Sequence, residues 1–210
     1  MKLYQFDLAP ASRRVTFFLM ETGIKIPIVQ LNVRDGHQFK EPYNSLNPFH
    51  CIPFLELDDG TTISESVAIC RYLEETYNVP TKLFGNNSQE RAIIEMWNRR
   101  VEIDGYLPLI NGIRNKFERY IGKVLPGTRN DLPQVPAIAE RGIDSCSILF
   151  KKLNMHLKTS RYVAGEGFSI ADITGYEVVG LANALEINFD EFKEIKAWHE
   201  KLDRRFKLGE

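Results

Sequence analysis

The chain has 210 residues, 43% of them hydrophobic and 26% charged, a mix that folds around an apolar core and argues against a disordered or low-complexity protein. Its 27 basic and 28 acidic side chains leave a net charge of −1, so it has no basic field to attract a phosphate backbone and nucleic acid is not an expected partner. No run approaches the ~20 apolar residues that cross a bilayer, and the start, MKLYQFDLAPASRR, lacks the apolar centre of a signal peptide, so a soluble cytoplasmic protein with no membrane partner is expected.

In chain order, the apolar run KLYQF predicts a strand, and SRRVTFFLMETG a helix with Val15, Phe18 and Leu19 on one face and Gly23 as its stop. IPIVQLNV predicts a second strand, which completes a βαβ unit. The polar stretch DGHQFKEPYNSLNP holds a helical turn, and FLELDD-G-TTI carries the Asp-Gly signature of a tight hairpin. Ser64 is then expected to cap an amphipathic helix, ESVAICRYLEETY, with Val67, Ile69, Cys70 and Leu73 on its apolar face and Glu65 in its first turn. Residues 1–79 thus predict an α/β domain, a mixed four-stranded sheet with helices on both faces.

The Pro-, Gly- and Asn-rich stretch around 80–88 is linker chemistry, and from residue 89 to 210 the period is helical throughout. The segment from Gln89 to Ile121 is long for one helix, and Gly105 and Pro108 predict a kink or break in it. A loop with three prolines, KVLPGTRNDLPQVP, precedes three further helices, AIAERGIDSCSILFKKLNMHL, SIADITGYEVVGLANAL and EFKEIKAWHEKLDRRF. Trp97, Phe117, Phe150 and Trp198 fall at core spacing. Ser169, three residues before Asp172 and flanked by Phe168 and Ile173, predicts a capping box with its hydrophobic staple.

Three places suggest chemistry. The strand-to-helix turn LAPASRRV holds a single hydroxyl, Ser12, and no Cys, Tyr or His; Ser12 is either the N-cap of the first helix or a ligand-facing donor. Ile52-Pro53, where a loop enters a strand, is an X-Pro bond that in the cis form leaves the N–H and C=O before it unpaired by the sheet and open to an added extended peptide. Glu65 and Ser66 open a helix whose N–H groups attract a carboxylate, while the acidic side chain attracts an ammonium, so together they suit an α-amino acid head group. The cysteines, Cys51, Cys70 and Cys146, lack the short paired intervals of a zinc site or a CxxC pair, and no disulfide or metal is expected.

Taken together and in register, NPFHCIPFLELDDGTTISESVAICRYLEE, LFGNNSQERAIIEMW and YVAGEGFSIADIT resemble the cytosolic glutathione transferases over nearly the whole chain. Within them the chain is most similar to the atypical fungal and bacterial group without an obvious Tyr, Ser or Cys activator. The resemblance implies a thioredoxin-like first domain and an all-helical second domain that forms the electrophile pocket. It also implies a homodimer, with glutathione as co-substrate and a small hydrophobic electrophile as its acceptor.

By the same resemblance, Ile52-Pro53 is cis and takes the cysteinyl part of glutathione, and Glu65 and Ser66 take the γ-glutamyl head. His50, where many relatives have Gly, is then a candidate for the glycyl carboxylate or an ordinary surface histidine, with His37 a weaker candidate and Cys51 lying near the bound thiol's strand. Ala9, Pro10 and Ala11 stand where an activating hydroxyl or thiol is usual, leaving Ser12 as the catalytic candidate and Arg13 or Arg14 with the helix end as further help. Ala11, Tyr106, Arg114 and Phe117 are candidates for the electrophile pocket; the second-domain histidines of the atypical group have no match, as Arg114 and Asn115 stand in that region. The implied activity is transfer of the glutathione thiolate to the electrophile. A glutathione-binding protein without turnover, or a glutathione-dependent peroxidase, lyase or isomerase, are the alternatives.

Overall fold

The computed structural model describes residues 1–207; residues 208–210, the end of the expected helical domain, lie outside the described residues. The chain divides into two compact units, one comprising Met1–Thr81 together with Pro126–Arg129, the other Lys82–Leu125 and the chain from Asn130 onward.

The first unit runs β1 (Lys2–Gln5), α1 (Pro10–Thr22), β2 (Ile28–Gln30), a short α2 (Tyr43–Leu46), β3 (Phe54–Glu56), β4 (Thr62–Ser64) and α3 (Ser66–Tyr77). The sheet order is β2-β1-β3-β4, with β1 and β2 parallel and the other pairs antiparallel. The mixed four-stranded sheet expected from the sequence is therefore present. Gly23, at φ 70°, closes α1 by donating to Leu19 O, as only a residue free to adopt positive φ does readily.

The apolar faces explain the packing. Val15 and Phe18 on α1, Ile69, Cys70 and Leu73 on α3, and Leu3 and Leu55 on the sheet are fully buried, and α1 packs on α3. Removing a side chain such as Phe18 from water contributes about 1.5–3 kcal/mol. A smaller cluster of Tyr4, Leu31 and Phe54 sits beside Tyr43, Leu46 and Ile52, and Tyr4 stacks on Phe54 with ring centroids 4.6 Å apart. The Tyr4 hydroxyl donates to Glu56 at 2.6 Å, and burial with this neighbouring carboxylate pushes the phenol up to about 12.

The second unit runs α4 (Ser88–Val101), a π turn (Glu102–Tyr106), α5 (Leu107–Lys116), α6 (Pro136–Leu157), α7 (Ile170–Ala184) and α8 (Lys193–Lys207). The kink expected at Gly105 and Pro108 takes the form of that π turn, which joins α4 to α5 without a loop; Ser145 of α6 donates to the Asp104 carbonyl there at 2.8 Å. Gly142 of α6 lies so close to α5 that a Cβ on it would stand 2.5 Å from Pro108 O, so the two backbones meet only because no side chain intervenes.

The capping box at α7 is also present. Asp172, wholly buried, accepts from the Ser169 and Val163 N–H groups at 2.9 Å each, from Ser169 Oγ at 3.1 Å and from Trp198 Nε1 at 3.0 Å. Phe168, ahead of the cap, packs edge-on against Tyr162 and Phe206. Phe150 and Trp198 are core residues, whereas Trp97 is half-buried and lies against the His156 ring at 4.2 Å.

Candidate functional site

Strand register brings three loops to one end of the sheet. Tyr4 pairs with Phe54, and Phe54 with Ser64. The exit of β1 into α1, the entry to β3 through Ile52-Pro53 and the exit of β4 into Glu65-Ser66 therefore share one sheet end. Ile52-Pro53 is cis, as is Glu41-Pro42. The β1–β3 register begins at Phe54, and no backbone hydrogen bond to Ile52 occurs among the described residues, so its N–H and C=O face no strand.

The start of α3 differs from the sequence expectation. Ser64 does not cap the helix; it ends β4, and its hydroxyl donates to Asn47 Oδ1 at 3.0 Å. Glu65 is itself the N-cap rather than a first-turn residue, with φ 73° and ψ 118°, a region where a residue with a Cβ is strained. Its side chain is exposed and caps nothing. Ser66, buried, is the first helical residue, and the N–H groups of Ser66, Val67 and Ala68 have no hydrogen-bond partner among the described residues. A carboxylate would meet three donors and the positive helix end there, with the Glu65 carboxylate adjoining.

Ser12 also differs. It is not the N-cap of α1, since Ala9 holds that place with Pro10 at the first helical position. The Ser12 side chain is 0% exposed, and its Oγ accepts from Phe6 N–H at 3.2 Å, tying the helix to the end of β1. The Ala11 and Ser12 N–H groups have no partner among the described residues, while Arg13 N–H donates to Ala9 O. The side chain of Arg13 is half-buried and that of Arg14 buried.

Asn47 is the residue that sequence reasoning missed. It is 1% exposed, donates to Cys51 O at 2.7 Å and accepts from Phe49 N–H at 3.1 Å and from Ser64 Oγ. One buried amide thus fixes the loop that carries His50, Cys51 and Ile52 against the strand that delivers Glu65. The available signal was the Asn-Pro pair at 47–48, a turn signature in a segment already singled out. His50 has φ 50°, a conformation glycine takes freely, and its Nε2 lies 2.9 Å from Asn44 Oδ1. His37 stands in a separate short 3₁₀ turn with Phe39, whose ring is 5.1 Å from that of His50.

Cys70 is wholly buried and its thiol pushed up by desolvation, and the Cys146 thiol is pushed up to about 12 by burial; neither is poised as a nucleophile. Cys51 is half-buried and in no disulfide. No group of metal-ligating side chains occurs among the described residues, and no helix is long and apolar enough to cross a membrane.

In the second unit, Tyr106 ends the π turn and is buried. Arg114 donates to Lys123 O at 2.6 Å with its guanidinium 5.2 Å from the Tyr120 ring centre. Phe117, half-buried, caps α5 and carries the Arg119 guanidinium at 4.5 Å and Lys116 Nζ at 5.8 Å. Gln134 donates to both the Arg114 and Phe117 carbonyls, so Arg114 and Phe117 are held as one surface and Tyr106 stands in the core.

A thioredoxin-like sheet unit with a cis-Pro loop, followed by a helical unit, defines a class of two-domain proteins. Residues 9–76 match the family "Glutathione S-transferase, N-terminal domain" and residues 144–205 match "Glutathione S-transferase, C-terminal domain". The chain is 31% identical to maleylacetoacetate isomerase of Rattus norvegicus, over 92% of this chain and 83% of that one. It is 29% identical to glutathione S-transferase 2 of Saccharomyces cerevisiae, over 98% and 86% respectively. A crystal structure of a glutathione S-transferase of class Gtt2 from Vibrio parahaemolyticus superposes with a TM-score of 0.81 at 38% identity, covering 96% of this chain and 92% of that one. The chain belongs to the glutathione S-transferase family.

Proposed function

We propose that this protein is a glutathione transferase that joins the glutathione thiolate to small hydrophobic electrophiles. The observation that carries the reading is the single sheet end at which Ile52-cis-Pro53, the first turn of α3 with Glu65, and the open start of α1 meet. The tripeptide has one chemistry for each: an extended cysteinyl backbone to pair with Ile52, a γ-glutamyl carboxylate and ammonium for the Ser66 turn and Glu65, and a sulfur to be held as an anion. The Ala11 and Ser12 N–H groups at the positive end of α1 are the donors for that sulfur, with Arg13 beside them. His50 serves the glycyl end. Ala11, Tyr106, Arg114 and Phe117 belong to the electrophile side of the same proposal, as does a cytoplasmic homodimer.

A second reading has one specific observation in its favour. The Ser12 hydroxyl has no exposed surface and no other hydroxyl or thiol stands in the turn, which suits a glutathione-binding protein with negligible turnover. The identity to a maleylacetoacetate isomerase adds isomerisation to the assays. Calorimetric titration with glutathione, followed by assays with a chloronitrobenzene, cumene hydroperoxide and a maleyl ketoacid, separates these. Conjugation of the chloronitrobenzene is expected; glutathione binding with no conjugation would leave the second reading.

A further inference from the structure

We propose that Arg129, delivered by the loop between α5 and α6, is a further glutathione-binding residue that pairs with the glycyl carboxylate beside His50. The inference rests on the reading of the 47–53 loop as the glutathione loop. Its basis is a four-residue excursion: Pro126–Arg129 packs as part of the sheet unit, while Leu125 before it and Asn130 after it belong to the helical one.

Two contacts pin that excursion to the loop in question. Gly127, at φ 66°, lies so near that a Cβ on it would stand 1.9 Å from Phe49 O and 2.9 Å from Cys51 Sγ. The backbone of residue 127 therefore rests directly on the peptide that carries His50, and no larger residue fits without parting them. Two residues on, the Arg129 guanidinium lies 4.4 Å from the Phe39 ring centre, and the His50 ring lies 5.1 Å from the same ring. Arg129 and His50 thus flank one aromatic ring from two distant parts of the sequence.

The charge on Arg129 is held but not neutralised. Its side chain is exposed, Nη1 donates to Thr128 O at 3.0 Å, and no carboxylate pairs with it among the described residues. The acidic side chain of Glu41, on the neighbouring turn, is engaged by Asn44 and Ser45. A guanidinium stacked by one face on a ring keeps a planar fork of donors that matches a carboxylate in two-point fashion. Glutathione presents one such group at its glycyl end, the end that faces away from Glu65 once its cysteinyl part lies along Ile52.

The test is calorimetric titration of the whole protein with glutathione and with its glycyl monoethyl ester, which lacks that one charge. The wild type is expected to bind glutathione more tightly than the ester. Arg129→Ala is expected to weaken glutathione about tenfold while leaving the ester within about twofold, and to raise KM for glutathione with kcat unchanged. Arg129→Lys is expected to recover part of the loss. Equal weakening of both ligands, or no weakening of either, overturns the assignment, as does a wild type that does not distinguish the two. A wild type that binds neither overturns the proposed function itself, an outcome distinct from the failure of Arg129 alone.

Discussion

Glu65 joins backbone strain to a proposed binding role in one residue, and the two separate by substitution. Its φ of 73° with ψ 118° costs a residue bearing a Cβ about 1–3 kcal/mol, and its exposed side chain makes no capping bond that offsets this. Glycine relieves the strain but loses about 0.5–1 kcal/mol to the entropy of the unfolded chain. Glu65→Gly should therefore stabilise the protein by about 1 kcal/mol, which for a chain of this size raises Tm by about 2–4 °C. Glu65→Ala keeps the strain and the stability. Both variants remove the carboxylate proposed to hold the γ-glutamyl ammonium, so both should weaken glutathione at least about tenfold, or 1.4 kcal/mol. Thermal melts and calorimetry on the three proteins read the two effects independently. A glycine variant less stable than the alanine variant would refute the strain argument, and unchanged affinity in both would remove Glu65 from the site.

Other consequences follow from buried polar groups. Asn47→Ala should destabilise by about 2–4 kcal/mol in denaturant melts, because Cys51 O, Phe49 N–H and Ser64 Oγ lose their partner together, and it should raise KM for glutathione more than KM for the electrophile. Ser12→Ala should cost about 1–2 kcal/mol through the stranded Phe6 N–H, yet leave the ultraviolet titration of the bound thiolate unmoved if the α1 amides hold the sulfur; a raised thiol pKa would return that role to Ser12. Burial outweighs the four donors around Asp172 and pushes its carboxyl up to about 6. Since that lies above its ordinary value, the folded state binds the proton more tightly than the unfolded one; the associated stability is full below about pH 4, is lost as pH rises to about 6 and is flat beyond. The stability of the wild type relative to Asp172→Asn should accordingly fall by about 3 kcal/mol across that window, and a difference independent of pH would contradict the assignment.

What the sequence disclosed follows from the range over which each signal acts. The βαβ unit, the Asp-Gly hairpin and the Ser169–Asp172 capping box are written in residues a few positions apart, and each is present. Ser64 was misread because cap chemistry assumes that a hydroxyl before a helix has no better partner; Asn47, 17 residues earlier, supplies one, and the helix begins a residue later on a strained Glu65. The N-cap reading of Ser12 fails for a related reason, since Ala9 caps α1 three residues sooner, with Pro10 at the first helical position, and the Ser12 hydroxyl accepts from Phe6 N–H. The kink near Gly105 was legible, but not that a π turn would absorb it. Pro126–Arg129 left no trace at all, for a proline-rich loop has no period from which a contact to Phe39 or Phe49 could be inferred.

The turn without an activating side chain is then a question of magnitudes. A free thiol titrates near 8.5, and making it mostly thiolate at neutral pH takes a shift of about one to two units, or about 1.4–3 kcal/mol. A helix N-terminus stabilises a neighbouring anion by about 0.3–2 kcal/mol, and a hydrogen bond to a charged acceptor contributes about 1.5–3 kcal/mol. The unpartnered Ala11 and Ser12 N–H groups at the start of α1 are of the right kind and number to span that requirement without a hydroxyl. Pro10 sharpens the arrangement, because it starts the helix with no N–H of its own and so points the first available donors one residue further along. On this reasoning Ala9, Pro10 and Ala11 are not a lost active site. Under the proposed function they clear the side chains from a helix end whose backbone would be the activator, while the buried Ser12 hydroxyl ties that end to β1.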